Sequence, residues 1–72
     1  MEEIHLLGEI GKRLKACRKK RRLTQAQLSY ACQTDPSYIR KVEAGKVNIS
    51  VVRLAAILTA LDMSLHEFLC DL

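Results

Sequence analysis

Aromatic residues are scarce in this 72-residue chain: they make up 4% of it, with two Tyr, one Phe and no Trp. There is one Pro, and there are three Gly. The strands of an all-β protein are enriched in aromatic residues, and its frequent turns are enriched in Gly and Pro. The low content of all of these residues therefore disfavours an all-β fold. Hydrophobic residues at 49% and charged residues at 28% are instead typical of a globular domain. The length predicts a single domain, residues 1–72, with a small core.

The cysteines follow no pattern that predicts disulfides or a metal. Cys17, Cys32 and Cys70 form no Cys-x-x-Cys pair, and three is an odd number. A site combining them with His66 is the alternative, but free cysteines usually pack as small hydrophobic side chains, so no metal site is predicted. The opening MEEIHLLGEI is acidic and unlike a secretory signal, and no apolar run approaches the ~18 residues of a membrane span. We therefore predict a cytoplasmic protein that does not associate with membranes.

Positive charge is concentrated in one segment. The net charge is +4, and eight of the eleven residues from Lys12 to Arg22 are Lys or Arg. Such a cluster is either a solvated helix face or a surface for an anionic partner. A helix lying on a membrane is disfavoured, because the apolar side of this segment carries neither Trp nor Phe and is needed for the core.

Hydrophobic periodicity and capping residues predict five helices, at about residues 4–21, 25–32, 36–44, 51–61 and 65–70. Thr24 and Ser64 each precede Gln or Glu by three residues, the capping-box spacing. Asp35 followed by Pro36 is a strong helix start, and Gly45 is a natural stop. The apolar face of the fourth helix is predicted to comprise Val51, Leu54, Ile57, Leu58 and Leu61.

No arrangement of residues predicts catalysis. His5 and His66 lie at opposite ends of the chain, and neither has a Ser, Cys or carboxylate at the spacing of a catalytic triad. No Gly-rich phosphate-binding loop is present either. We therefore predict that the protein is not an enzyme and requires no cofactor.

The segment from Thr24 to Gly45 predicts two short helices joined by a tight turn. Only Ile39 and Val42 in the second of these helices are clearly core residues, so its polar side chains and Tyr38 must face outward or lie at an edge. A major groove of DNA admits one helix, and Arg or Lys can hydrogen-bond to the edge of guanine. The side chains that project in this way are Ser37, Arg40 and Lys41.

The pattern resembles the Cro/phage-repressor-type (lambda-repressor-like) helix-turn-helix family, over about residues 10–69. The segments that match, without a gap, are IGKRLKACRKKRRLTQAQL, SYIRKVEAG, KVNIS and ALDMSLHEFL. The resemblance implies an all-α, compact five-helix DNA-binding domain that regulates transcription, with its helix-turn-helix at about 24–45. Within the family, DPSYIRKVEAG and VNIS look most like the controller proteins of restriction–modification systems.

The resemblance also implies roles for individual residues. The positions that contact bases are Pro36, Ser37, Arg40 and Lys41, with Arg40 between the base-facing positions and the DNA backbone. Those that contact the DNA backbone are Gln25, Tyr38, Lys46 and Asn48, and Lys19 on the basic helix joins them. Arg18 and Glu43 match a partly buried ion pair; the alternative for Arg18 is a surface cation. Tyr38 has two interpretations: a ring packed in the core whose hydroxyl reaches a phosphate, or a base contact.

Some positions depart from the family pattern. Gln33 and Asp62 stand where Gly is usual, and a left-handed conformation at Gln33 costs about 1 kcal/mol. Pro36 replaces a polar base reader, so it offers only an apolar contact such as one to a thymine methyl group.

The expected partner is double-stranded DNA, bound by a homodimer, because one such small domain buries too little surface for tight specific binding. Two recognition helices would then lie about 34 Å apart on an inverted repeat. The predicted dimer interface, within about 61–72, comprises Leu65, Phe68, Leu69 and Leu72. Two alternatives remain: a protein-interaction module or antitoxin-like partner that retains the fold, and nonspecific nucleic-acid binding by the basic helix.

Overall fold

The five predicted helices are confirmed in a computed structural model that describes residues 2–70, with the backbone alone for residues 3 and 4. Within that range the helices are α1 (Glu3–Lys20), α2 (Gln25–Ala31), α3 (Pro36–Glu43), α4 (Val51–Ala60) and α5 (Leu65–Leu69). Each bound lies within one residue of its prediction because most of the start and stop signals are local. No helix in the described range is long and apolar enough to cross a membrane.

Side-chain caps start four of these helices. The capping boxes of Thr24 with Gln27 and of Ser64 with Glu67 are both present. The Asp35 side chain accepts a hydrogen bond from the Ser37 N–H at 2.8 Å, and the Ser50 hydroxyl accepts one from the Arg53 N–H at 3.1 Å. These bonds satisfy N–H groups that would otherwise lack partners at the helix starts, and they fix where each helix begins.

The ends of α1 to α4 share one geometry, in which the second residue after the helix is left-handed. These residues are Arg22, Gln33, Gly45 and Asp62, with φ of 59°, 58°, 73° and 54°. After α2, for example, the Thr34 N–H donates to the Ser29 carbonyl at 2.8 Å, which closes the turn. Gln33 and Asp62 thus adopt the glycine-like conformation without being glycine, and Arg22 does so without any sequence signal.

The helices enclose one apolar core. α3 packs against both α1 and α2, and α4 packs against α2 and α5. The buried apolar residues are Ile10, Leu14, Leu28, Ile39, Val42, Leu54, Ile57, Leu58, Leu61 and Phe68. Because α3 is held from two sides, its remaining face is presented to solvent at a fixed angle.

Two sequence predictions about apolar residues are wrong. Phe68, predicted at a dimer surface, is 2% exposed and belongs to the core, because α5 turns this side chain inward. Val51, predicted on the buried face of α4, is 65% exposed, since it lies in the first turn, at the edge of the core. Leu72, also predicted at the dimer surface, lies outside the described residues.

Candidate nucleic-acid interface

The outward face of α3 carries the residues predicted to read bases. Pro36, Arg40 and Lys41 are exposed, and Ser37 is half-buried, whereas Ile39 and Val42 lie on the buried side. The hydrogen bond from the Ser37 backbone N–H lowers the pKa of Asp35 below its usual value. The hydrogen bond therefore favours the charged carboxylate, which caps the first turn of α3 and holds it in place.

A buried ion pair holds the C-terminal end of α3 against α1. Arg18 Nε lies 2.6 Å from Glu43 Oε2, and Arg18 Nη2 lies 3.0 Å from Glu43 Oε1. The two side chains are 8% and 3% exposed, so the pair is shielded from water. Arg18 Nη1 also donates to the Leu23 carbonyl at 2.8 Å, which ties in the connection between α1 and α2. The predicted pair is therefore formed, with both ions hydrogen-bonded.

Gln25 joins this network from the start of α2. Its Nε2 donates to Glu43 Oε1 at 3.1 Å, so the side chain is half-buried beside the end of α3. A side-chain amide nitrogen carries two hydrogens, and one of them remains for a phosphate. The resemblance gave Gln25 a phosphate-binding role. The structure adds a link between that residue and the buried ion pair.

The loop after α3 continues the same surface. Gly45 reverses the chain, and the Lys46 N–H donates to the Lys41 carbonyl at 2.9 Å. Lys46 and Asn48, the two predicted DNA-backbone contacts in this loop, are both exposed. They follow the C-terminal end of α3, the predicted recognition helix. Asn48 also borders an apolar groove on the neighbouring face.

Tyr38 is half-buried and packs against the core, as the first of its two interpretations required. Its ring also has a partner that sequence reasoning missed. The Cζ atom of Arg53, in the first turn of α4, lies 5.3 Å from the ring centroid. The sequence held one signal for this contact. A cation in the first turn of a helix is disfavoured by the helix dipole, so Arg53 at that position suggests a compensating contact.

The eight cations between Lys12 and Arg22, in the second half of α1 and just after it, have different environments. Arg18 is buried in the ion pair, and Arg13 is half-buried, with Nη1 3.4 Å from the Phe68 carbonyl oxygen. The other six cations are exposed, among them Lys19, and Lys12 lies 3.8 Å from Glu9. Two of these cations therefore stabilise the fold, and the other six are exposed to solvent.

An apolar groove of about 390 Å³ lies between the first half of α1, the start of α4 and α5. Leu65 is half-buried in it, and Leu69 is 37% exposed. The groove is lined by residues from distant parts of the chain. Of these residues, the sequence analysis predicted only those of α5 to lie at an interface. Its other apolar lining residues are Leu6, Leu7, Ile10, Ile49, Val51 and Leu54.

Comparisons with known proteins agree with this arrangement. A helix-turn-helix family model matches residues 14–68. An immunity repressor protein of Bacillus phage phi105 is 39% identical over 54 residues, which are 75% of this chain and 38% of that relative. The chain therefore spans well under half the length of this curated relative.

Two crystal structures share the fold. The restriction-modification controller protein C.AhdI from Aeromonas hydrophila is 35% identical, with a TM-score of 0.82 over 86% of this chain and 94% of that one. The clp gene regulator ClgR from C. glutamicum is 28% identical, with a TM-score of 0.87 over 90% and 83%. The chain belongs to the Cro/lambda-repressor-like helix-turn-helix family, whose members are transcription regulators and not enzymes.

Proposed function

We propose that this chain is a sequence-specific, DNA-binding transcription regulator that binds an inverted-repeat operator as a homodimer. The observation that carries the proposal is the exposed, cationic face of α3, which is capped at its start and braced at its end by a buried ion pair. A helix held so firmly can present its side chains to a groove without reorganising, which favours discrimination between sequences.

The base-reading role rests on three side chains. Arg40 and Lys41 project from exposed positions of α3 and can donate to O6 and N7 of guanine. Ser37 can donate or accept, so it tolerates several bases. Pro36 adds an apolar surface at the first turn that suits a thymine methyl group.

The phosphate-binding role is assigned to residues around this face. Gln25 lies at one side of α3, beside Glu43, while Lys46 and Asn48 follow its C-terminal end. Tyr38 offers its hydroxyl, and Lys19 adds positive charge from α1. Contacts of this kind position the helix and contribute affinity that does not depend on sequence.

The dimer interface is assigned to the apolar groove, with Leu65 and Leu69 on α5 and Val51 and Leu6 on its rim. The occupant is a second copy of this chain. In such a dimer the two α3 helices must lie about 34 Å apart, one turn of DNA, to read an inverted repeat. None of the base-contact residues lines the groove, and of the proposed phosphate contacts only Asn48 borders it, so the groove can pair while α3 binds DNA.

Replacing Arg40 or Lys41 by alanine is expected to weaken binding to the preferred DNA sequence by about 1–3 kcal/mol each, while random DNA is affected far less. The measurement is a titration of both duplexes at one salt concentration. Lys19→Ala serves as the control, with an equal loss on both duplexes. Equal losses for the α3 variants would make Arg40 and Lys41 phosphate contacts instead.

Replacing Leu69 by glutamate is expected to convert the dimer into a monomer, because a charge would enter an apolar interface. Sedimentation analysis at micromolar concentration measures the change. Val52→Glu is the matched control: Val52 is 81% exposed on α4 and does not line the groove. A wild-type protein that sediments as a monomer with and without DNA would refute the dimer proposal.

The alternative of a protein-interaction module has one observation in its favour, the exposed ring of Tyr30 on α2. The cations of α3 have no evident use in that role. Unchanged binding of the Arg40→Ala and Lys41→Ala variants to every duplex would favour the alternative.

A further inference from the structure

Arg53 is an exposed cation at the start of α4 that contacts Tyr38 of α3. It lies in the first turn of α4, where the helix dipole disfavours positive charge, and its Cζ lies 5.3 Å from the centroid of the Tyr38 ring. That distance falls within the range of a cation–π contact. Tyr38 itself packs against the core, so the ring is a firm support for the guanidinium group.

The two flanks of α3 are occupied by different partners. Successive side chains of a helix are rotated by about 100°, which places Glu43 on one flank of the buried Ile39 and Val42 and Tyr38 on the other. The Glu43 flank meets Gln25 at 3.1 Å, and the Tyr38 flank meets Arg53. Ser37 and Lys41 project between these flanks.

A helix in the major groove lies between two phosphate backbones, one on each side. The resemblance and the proposed function assign Gln25 to one of these backbones. Arg53 borders the opposite flank, on the side of α4. A guanidinium group that faces an aromatic ring keeps its N–H groups directed outward in its own plane, the geometry that suits a phosphate.

We propose that Arg53 is a DNA-backbone contact on the groove wall opposite Gln25, with Tyr38 as the support that orients it. The inference rests on the proposed function, since it assumes that α3 enters the major groove. With Gln25 and Arg53, each domain has a phosphate contact on both sides of α3. Two such contacts fix how deeply α3 enters the major groove and how it is rotated about its own axis.

The test measures the binding constant of the full chain as a function of salt concentration, on the preferred duplex and on a random one. R53Q is expected to weaken both complexes by similar factors and to reduce the slope of log K against log salt by about 0.9 per subunit. R53K is expected to keep the wild-type slope but bind more weakly, because an ammonium group lacks the planar donor geometry.

The control is K12Q, which removes one exposed cation from α1 and is expected to leave the slope unchanged. An R53Q slope equal to that of the wild type would overturn the inference, and a lower melting temperature with an unchanged slope would show a purely structural contact. If the wild-type chain binds no duplex at all, the proposed function fails. If it binds and only the R53Q result disagrees, the failure is confined to Arg53.

Discussion

Glu43→Ala is expected to lower the free energy of unfolding by about 3–5 kcal/mol, because it leaves Arg18 buried without a counter-ion. Arg18 Nε and Nη2 would both lose their carboxylate partners, and Gln25 Nε2 would lose its acceptor. A domain of this size has a total stability of only about 5 kcal/mol, so much of the population would be unfolded. Chemical denaturation followed by circular dichroism measures the loss.

The control for this prediction is an exposed ion pair, between Glu9 and Lys12 on α1. Its atoms lie 3.8 Å apart, and the Lys12 side chain is largely solvated. Lys12→Ala is expected to cost less than about 1 kcal/mol, as is usual for exposed pairs. If Glu43→Ala were as mild as Lys12→Ala, the buried pair would not be the brace of α3.

A double replacement separates the charge effect from the packing effect. Arg18→Met with Glu43→Leu removes both ions, so no buried charge is left alone, and much of the lost stability should return. Full recovery is not expected, because the Leu23 carbonyl and the Gln25 amide would still lack their partners. The same variant is expected to bind DNA more weakly than its stability alone would explain, since the Gln25 side chain is no longer held.

Gly11→Ala is expected to destabilise the fold by about 3 kcal/mol, at the upper end of typical overpacking. A Cβ at position 11 would lie 2.5 Å from the Glu43 carbonyl oxygen and 2.6 Å from that of Val42. Both are backbone atoms, so α1 and α3 would have to move apart. That movement would also stretch the ion pair between the same two helices. Thermal and denaturant unfolding measure the effect.

Gly8→Ala is the matched control in the same helix. No atom outside the local helix backbone lies within 4 Å of the added Cβ, so nothing resists it. Alanine is a better helix former than glycine, and the change should therefore stabilise the protein by about 0.5–1 kcal/mol. Similar effects at both positions would contradict the close contact of α1 with the end of α3.

The sequence predicted the helices well because their limits depend on local chemistry. The caps at Thr24, Asp35 and Ser64 act within three residues of the chain and need no knowledge of the fold. The partnership of Arg18 with Glu43 was also anticipated, but from the family resemblance: residues 25 positions apart give no pairwise signal of their own.

Most of the features that sequence reasoning missed depend on tertiary packing. Phe68 lies in a helix of five residues, which is too short for periodicity to separate an inward side chain from an outward one. The approach of Gly11 to α3 joins two helices and has no local signal in the sequence. The contact of Arg53 with Tyr38 also joins two helices, and its only local signal, a cation in the first turn of α4, does not identify the partner. The recognition surface was predicted as a set of residues, whereas its supports became evident only in the fold.

The most direct test of the central claim is selection of bound duplexes from a random DNA library by the purified protein at near-physiological salt. A dimer that reads sequence through α3 is expected to enrich an inverted repeat whose half-sites are about 10 base pairs apart, centre to centre. The Arg40→Ala and Lys41→Ala variants should lose the enrichment. A pool that remains random after selection by the wild-type protein would contradict the proposal that α3 reads bases.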